Sequence, residues 1–136
     1  MFGSLDISTS ALVAQRTRMD VIAGNLANAQ TLHRADGKPG PYKRHFVLFN
    51  TGDGKGGPGV HVQDIREDTG PGDFVYDPKH PSAIKAGPNQ GYVEYPNVVQ
   101  SVEMINGMLA SRAYEANIAA IDVTKGMISA SLRLLA

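Results

Sequence analysis

The sequence contains no cysteine. That absence removes a disulfide framework, thiolate metal ligands and cysteine-based catalysis together, and it is compatible with either redox compartment. An excess of one charge is also missing: 13 Lys and Arg stand against 13 Asp and Glu. No long-range field therefore draws the chain to nucleic acid or to an anionic membrane. No apolar run approaches the roughly 18 residues of a membrane span. The amino terminus carries Asp6 in a Ser/Thr-rich stretch, with no basic segment leading into an apolar run, so no cleavable secretory signal is expected.

Proline is absent from both ends. All 8 prolines fall between Pro39 and Pro96, together with 10 of the 15 glycines. The ends are free to be helical and the middle is broken into short pieces. Residues 1 to 32, 33 to 100 and 101 to 136 are each separately neutral. At 136 residues the chain has the length of one ordinary domain.

In the first segment Leu5, Leu12, Met19 and Leu26 recur every seven residues, with Ile22 and Ala29 three after the last two. This is an amphipathic heptad stripe, and it predicts a helix over residues 5 to 29, about 40 Å long. Asp6, Ser8 and Ser10 are candidate caps for its start, and Asn28 is a candidate left-handed stop. In the last segment Val102, Ile105, Leu109, Ala113, Ala116, Ala120, Val123, Met127, Ala130 and Leu134 follow by threes and fours, with one stutter at Leu109 to Ala113. They predict a second helix over residues 98 to 135, which Gly107 and Gly126 weaken.

Between the helices, Tyr42 to Phe49, Val60 to Ile65, Phe74 to Asp77 and Gly91 to Tyr95 read as short strands separated by Gly/Pro turns. The expected class is α+β: two long terminal α-helices pairing as a coiled-coil-like layer, with a small β-rich Gly/Pro-containing insert between them. Residues 1–32 and 98–136 form the terminal-helix domain and residues 33–97 the insert. A Gly/Pro-rich insert of this size buries little, so each helix stripe needs cover. The two helices can cover each other. That still leaves outer faces rich in Ala11, Val13, Ala14, Val21, Ala23, Ile118 and Ile121, which ask for neighbouring copies.

Chemical motifs are few. Gly52 to Gly57 matches the spacing of a dinucleotide-binding fingerprint, but Pro58 and Gly59 lead into another strand where a phosphate site needs a helix to begin. It reads as a flexible hairpin loop. His33, His45, His61 and His80 are scattered singly, and His80 sits in the rigid Asp77-Pro78-Lys79-His80-Pro81 string, without a second ligand cluster or a nucleophile. An enzyme built on Asp73, Asp77 and His80 would need both. Arg112 and Glu115 are neighbours on one helix face, which reads as a solvated or intersubunit pair. Asn25 and Asn28 are poor helix formers late in a helix; each is either a helix stop or a polar contact that fixes register between packed helices.

The string from Ala14 through Gln15-Arg16-Thr17-Arg18-Met19-Asp20-Val21-Ile22 to Asn25-Leu26-Ala27-Asn28-Ala29-Gln30-Thr31 resembles the amino-terminal signature of bacterial flagellar rod and hook proteins. Pro41-Tyr42-Lys43-Arg44 resembles the segment that opens the family's insert. Val75 to Pro81 is similar to the proximal rod members of the FlgC type in particular. Gly91 to Val98 and Ala110 to Ile118 complete the pattern, so the resemblance covers almost the whole chain. The short middle also favours a proximal rod subunit over distal rod and hook proteins. Val99, Leu32 and His33 depart from the signature.

The resemblance implies a non-enzymatic structural subunit of the basal-body rod, with no cofactor and no metal. Such a subunit is exported by the flagellar type III apparatus without signal cleavage and polymerises in the periplasm. Its implied partners are further copies of itself, other rod subunits and inner-membrane ring components near the rod base; no nucleic acid and no membrane span are expected. Helix packing and assembly are then expected at Leu5, Leu12, Met19, Ile22, Asn25, Leu26 and Asn28 on the first helix. On the second they are expected at Val102, Ile105, Leu109, Ala113, Ala116, Ala120, Val123 and Met127. The competing reading is a soluble helical adaptor that docks a single partner and never polymerises.

Overall fold

The computed structural model describes residues 2–52 and 54–135. Two helices bracket four strands: α1 (Phe2–Ala27), β1 (His45–Thr51), β2 (Val60–Glu67), β3 (Phe74–Tyr76), β4 (Tyr92–Glu94) and α2 (Gln100–Leu135). At about 1.5 Å per residue the helices run roughly 39 and 54 Å. The class is α+β, with two terminal helices and a small antiparallel middle.

α1 starts earlier than the sequence suggests. Asp6, Ser8 and Ser10 therefore lie inside the helix and cap nothing, and the Ser10 hydroxyl donates back to Ile7 O at 2.7 Å. Asn28 ends the helix by another route than a left-handed turn, since no described non-glycine residue has positive φ. Its backbone and side-chain N–H groups both donate to Gly24 O, at 3.1 and 2.9 Å. The Gly24 carbonyl, one of the acceptors that a helix end leaves without an intrahelical partner, is thereby satisfied twice and the last turn closes.

β1 and β2 form one antiparallel hairpin, in register from His45 opposite Glu67 to Thr51 opposite Val60, with a bulge at Leu48/Phe49. Gly52 N–H donates to Gly59 O at 2.8 Å and closes its loop, so the glycine-rich stretch is a hairpin turn with no helix after it. The hairpin does not stand apart from the helices. It lies along α1, and at its tip Val60 N–H donates to Ser10 Oγ at 3.1 Å. Gly59, at φ 132, is required there: a Cβ would come within 2.5 Å of Ser10 Oγ.

β3 and β4 form a second, three-residue ribbon, backed by Ile84, whose N–H donates to Tyr92 O at 2.9 Å. The ribbon is entered through Gly72, where a Cβ would lie 1.7 Å from Tyr95 O. Only glycine fits that crossing.

α1 and α2 run antiparallel, since Asn25 meets Glu103 while Ile22 lies against Gly107. The core is small: Ala14 and Ile22 from α1, Ala29 from the turn after it, Ala110 from α2 and Val93 from β4. α1 does not cover the apolar stripe expected of α2. Val102, Ile105, Leu109, Val123 and Met127 are 48% to 63% exposed. The buried and half-buried positions of α2 include Glu103, Gly107, Ala110, Tyr114, Asn117, Ile121, Thr124 and Ile128. These also follow by fours and threes, and they form the side turned to α1. Near its start this side carries Gly107 and Ala110, which allow close approach: a Cβ on Gly107 would sit 3.6 Å from Ile22 Cγ2. Ala14 and Ile121, expected on outer faces, are buried and half-buried respectively, while Val13 and Ile118 are exposed.

Candidate functional site

The densest polar construction lies where α1, β1 and α2 converge. Asn25 and Glu103 are both 0% exposed. A buried amide and a buried carboxyl are costly unless hydrogen-bonded, and here both are. Asn25 Nδ2 donates to His45 O at 2.8 Å and to Glu103 Oε2 at 2.9 Å. Asn25 Oδ1 accepts from His45 N–H at 2.9 Å and from Tyr42 O–H at 3.0 Å. The amide is saturated and its orientation fixed, because turning it over would set its N–H groups against the His45 N–H.

The strand pairing explains why the helix reaches this point. The Arg44 carbonyl accepts from Asp68 N–H at 2.7 Å within the hairpin, so the next residue, His45, turns its backbone groups the other way, toward α1. Asn25 supplies one donor and one acceptor there, as a neighbouring strand would. The Tyr42 proton goes to Asn25, so the His45 Nδ1–H donates to Tyr42 Oη, at 2.9 Å. Burial, then the Glu103 charge, pushes the Tyr42 hydroxyl above its ordinary range.

Glu103 Oε1 accepts from Arg44 Nε at 2.7 Å. The carboxylate is thus held by an amide from α1 and a guanidinium from the residue preceding β1. One α2 side chain ties together the three elements that the chain brings from distant positions.

Two further ion pairs brace the insert. Lys43 Nζ donates to Glu94 Oε1 at 2.8 Å and to Gly70 O at 3.2 Å. The lysine hydrogen bond holds the Glu94 carboxyl below its usual range, against partial burial and with help from Gly72 N–H. Arg34 bridges Asp36 and Glu67, and its hydrogen bonds keep both carboxyls low. Asn97 accepts from Arg44 N–H at 2.8 Å and donates to Asp68 O at 3.0 Å, fastening the hairpin to the approach to α2.

The expected site residues fall into three groups. Ile22 and Asn25 are buried at the α1–α2 contact, while Leu5, Leu12, Met19 and Leu26 on α1, and Asn28 just past its end, are half-buried. On α2, Ala113 is half-buried, whereas Val102, Ile105, Leu109, Ala116, Ala120, Val123 and Met127 are exposed. The two readings of the asparagines divide between them: Asn25 makes the long-range polar contact, and Asn28 makes local bonds to Gly24 and Thr31 that stop the helix. Glu103 was not singled out from the sequence, Tyr42 and Arg44 were named only in the string that opens the insert, and Ser10 only as a candidate cap. Glu103, flanked by Val102 and Met104, was masked by a more apolar stripe; its place in the Gly107-Ala110-Tyr114 series was the available signal.

Elsewhere the chemistry is structural. His80 sits in a turn, its N–H donating to Asp77 O at 3.2 Å and its Nδ1 accepting from Ser82 N–H at 3.1 Å. Among the described residues no three His, Asp or Glu side chains gather as a metal site. Arg112 and Glu115 are exposed and form no ion pair among the described residues. No helix is long and apolar enough to cross a membrane, among the described residues.

Comparison with known proteins places this architecture. Residues 5–31 match the family described as flagella basal body rod protein, and residues 89–134 match the flagellar basal body rod FlgEFG protein C-terminal family. The first match includes Asn25, and the second includes Glu103. The flagellar basal-body rod protein FlgC of Borreliella burgdorferi is 40% identical, over 99% of this chain and 97% of that protein. The FlgC protein of Bacillus subtilis is 39% identical, over 98% and 97%. That of Salmonella typhimurium is 40% identical, over 95% and 93%. Similarity of this depth spans both helices, the junction that joins them and the insert between, and the chain belongs to the FlgC type of flagellar basal-body rod proteins.

Proposed function

We infer that this chain is a structural subunit of the flagellar basal-body rod, polymerising through its terminal helices into the proximal part of the drive shaft. The observation that carries the reading is the uncovered stripe of α2. Five large apolar residues on it, from Val102 to Met127, are exposed in the isolated subunit. A contiguous apolar strip of this length marks a protein interface. Head-to-tail contacts between unlike faces of successive subunits build open helical assemblies. The stripe toward α1 holds the subunit together, and the second stripe is left for neighbours.

The role is mechanical, and no bond is made or broken. Helices sharing apolar seams make a stiff wall that transmits torque and encloses the export channel, with the insert as an outer layer. The polar junction at Asn25 and Glu103 contributes by fixing the register of α2 on α1, so that every subunit presents the same stripe. The rest of the reading is that the chain leaves the cytoplasm through the flagellar type III apparatus without signal cleavage. It meets other rod subunits, copies of itself and inner-membrane ring components on the periplasmic side.

The test is bulk added to the outer stripe. Ala116 and Ala120 are exposed, and Leu is nearly as good a helix former as Ala, so A116L and A120L should leave the free subunit's melting unchanged. In a packed seam each added side chain costs about 1–3 kcal/mol. Recovery of the variant with isolated basal bodies, and motility, should fall sharply. Normal incorporation and motility with both substitutions would overturn the seam.

A further inference from the structure

α2 carries a third stripe. Met104, Met108, Ser111, Glu115, Ile118 and Asp122 follow one another by fours and threes, apart from both the α1-facing side and the Val102–Met127 strip. All but Ser111 are exposed, with Met104 and Met108 more than 60% so. Its only charges are two carboxylates, seven residues and therefore two turns apart. Arg112 and Lys125 lie three residues from one acid each, yet neither acid makes an ion pair among the described residues. The stripe is apolar and acidic together.

The complementary surface is on the same molecule. A cavity of about 240 Å³ opens between α1, α2 and β1. Val21, Phe46 and Phe49 give it apolar walls, and Arg18 and Arg44 line it. Arg18 is half-buried and has no hydrogen bond or ion pair among the described residues. Arg44 engages Glu103 through Nε alone, so its two terminal nitrogens remain open among the described residues. Two guanidinium groups face one already engaged carboxylate, and the cavity is positive. Its volume falls below the roughly 300–1,000 Å³ of small-molecule sites, which suits one or two side chains.

We propose that this cavity seats the Met104–Asp122 stripe of an adjoining copy of the chain, with Asp122 or Glu115 paired to Arg18 and Arg44 and the apolar residues against Val21, Phe46 and Phe49. The proposal rests on the rod-subunit reading and specifies one contact between copies. Charge complementarity within an apolar frame sets register and excludes wrong neighbours.

The experiment is a charge swap in a strain whose own copy of the gene is deleted, reading the amount of tagged chain recovered with isolated basal bodies. Circular dichroism and melting of each purified subunit are measured first. R18E should lower recovery at least tenfold, and adding D122R or E115R to the same chain should restore it to within twofold. Undiminished recovery of R18E, or a loss that neither swap restores, overturns the contact. R18K keeps the charge and gives an independent reading that does not depend on the reversal folding. In basal bodies carrying R18K, whose amine a zero-length carbodiimide joins to a carboxylate as an amide with loss of water, position 18 should couple to position 115 or 122 of another copy. Coupling only to other rod proteins, or to nothing, overturns the assignment to a second copy. Failure of the unaltered tagged chain to co-purify at all would instead sink the rod-subunit reading.

Discussion

Replacing Asn25 by alanine removes the side chain that joins all three elements at the junction. Its amide makes four hydrogen bonds, to His45 O and Glu103 Oε2 and from His45 N–H and Tyr42 O–H. Loss of a bond to a charged group costs about 1.5–3 kcal/mol, and each buried polar group left unsatisfied costs about 1–3. His45 and Tyr42 are only half-buried, so water replaces part of what they lose. A total of about 3–5 kcal/mol follows, against roughly 5–15 for a whole domain. With a urea slope of about 2 kcal/mol/M, the unfolding midpoint should drop by about 1.5–2.5 M. The control is Asn28→Ala, which removes local bonds at a part-exposed helix end and should cost about 1 kcal/mol. Urea titration of both purified variants by circular dichroism decides it. If Asn25→Ala shifts the midpoint no more than Asn28→Ala, the junction does not hold the helices to the hairpin.

Gly107→Ala should stabilise the subunit by about 0.5–1 kcal/mol in the same titration, because the added methyl meets Ile22 at an ordinary contact distance and glycine is a poor helix former. Gly72→Ala should destabilise by about 1–3 kcal/mol or more, since its methyl would collide with the Tyr95 carbonyl and the ribbon must shift. Glu94 sits below its ordinary value of 4.5 because of Lys43. A carboxyl lowered by folding contributes stability that is fully present above that ordinary value and is lost as pH falls through the folded one. Lys43→Met should therefore flatten part of the acid limb of a melting-temperature profile below about pH 4.5, and an unchanged acid limb would refute the pairing.

The terminal helices were legible because every proline and most of the glycines lie in the middle, and helix existence depends on local sequence. The strands were legible for the same reason: all four lie where apolar runs meet Gly/Pro turns, with ends displaced by a few residues. Which face of α2 meets α1 was not legible. Two stripes of the same period compete there, and hydropathy ranks Val102-Ile105-Leu109 above Glu103-Gly107-Ala110. Close helix approach and the partners waiting for Glu103 reverse that order. Those partners, Asn25 and Arg44, stand 78 and 59 positions away, and no local pattern announces such a pairing. Ser10 shows the same limit: it reads as a cap, yet its hydroxyl is the anchor for a hairpin tip 50 positions on.

The account's central claim is that the exposed α2 stripe becomes a buried seam of the rod. Cryo-electron microscopy of basal bodies isolated from cells carrying the tagged chain tests it directly. The predicted map shows the chain in the proximal rod with Val102, Ile105, Leu109, Val123 and Met127 packed against helices of neighbouring subunits. A rod without the chain, or one in which that stripe still faces solvent, would contradict the account.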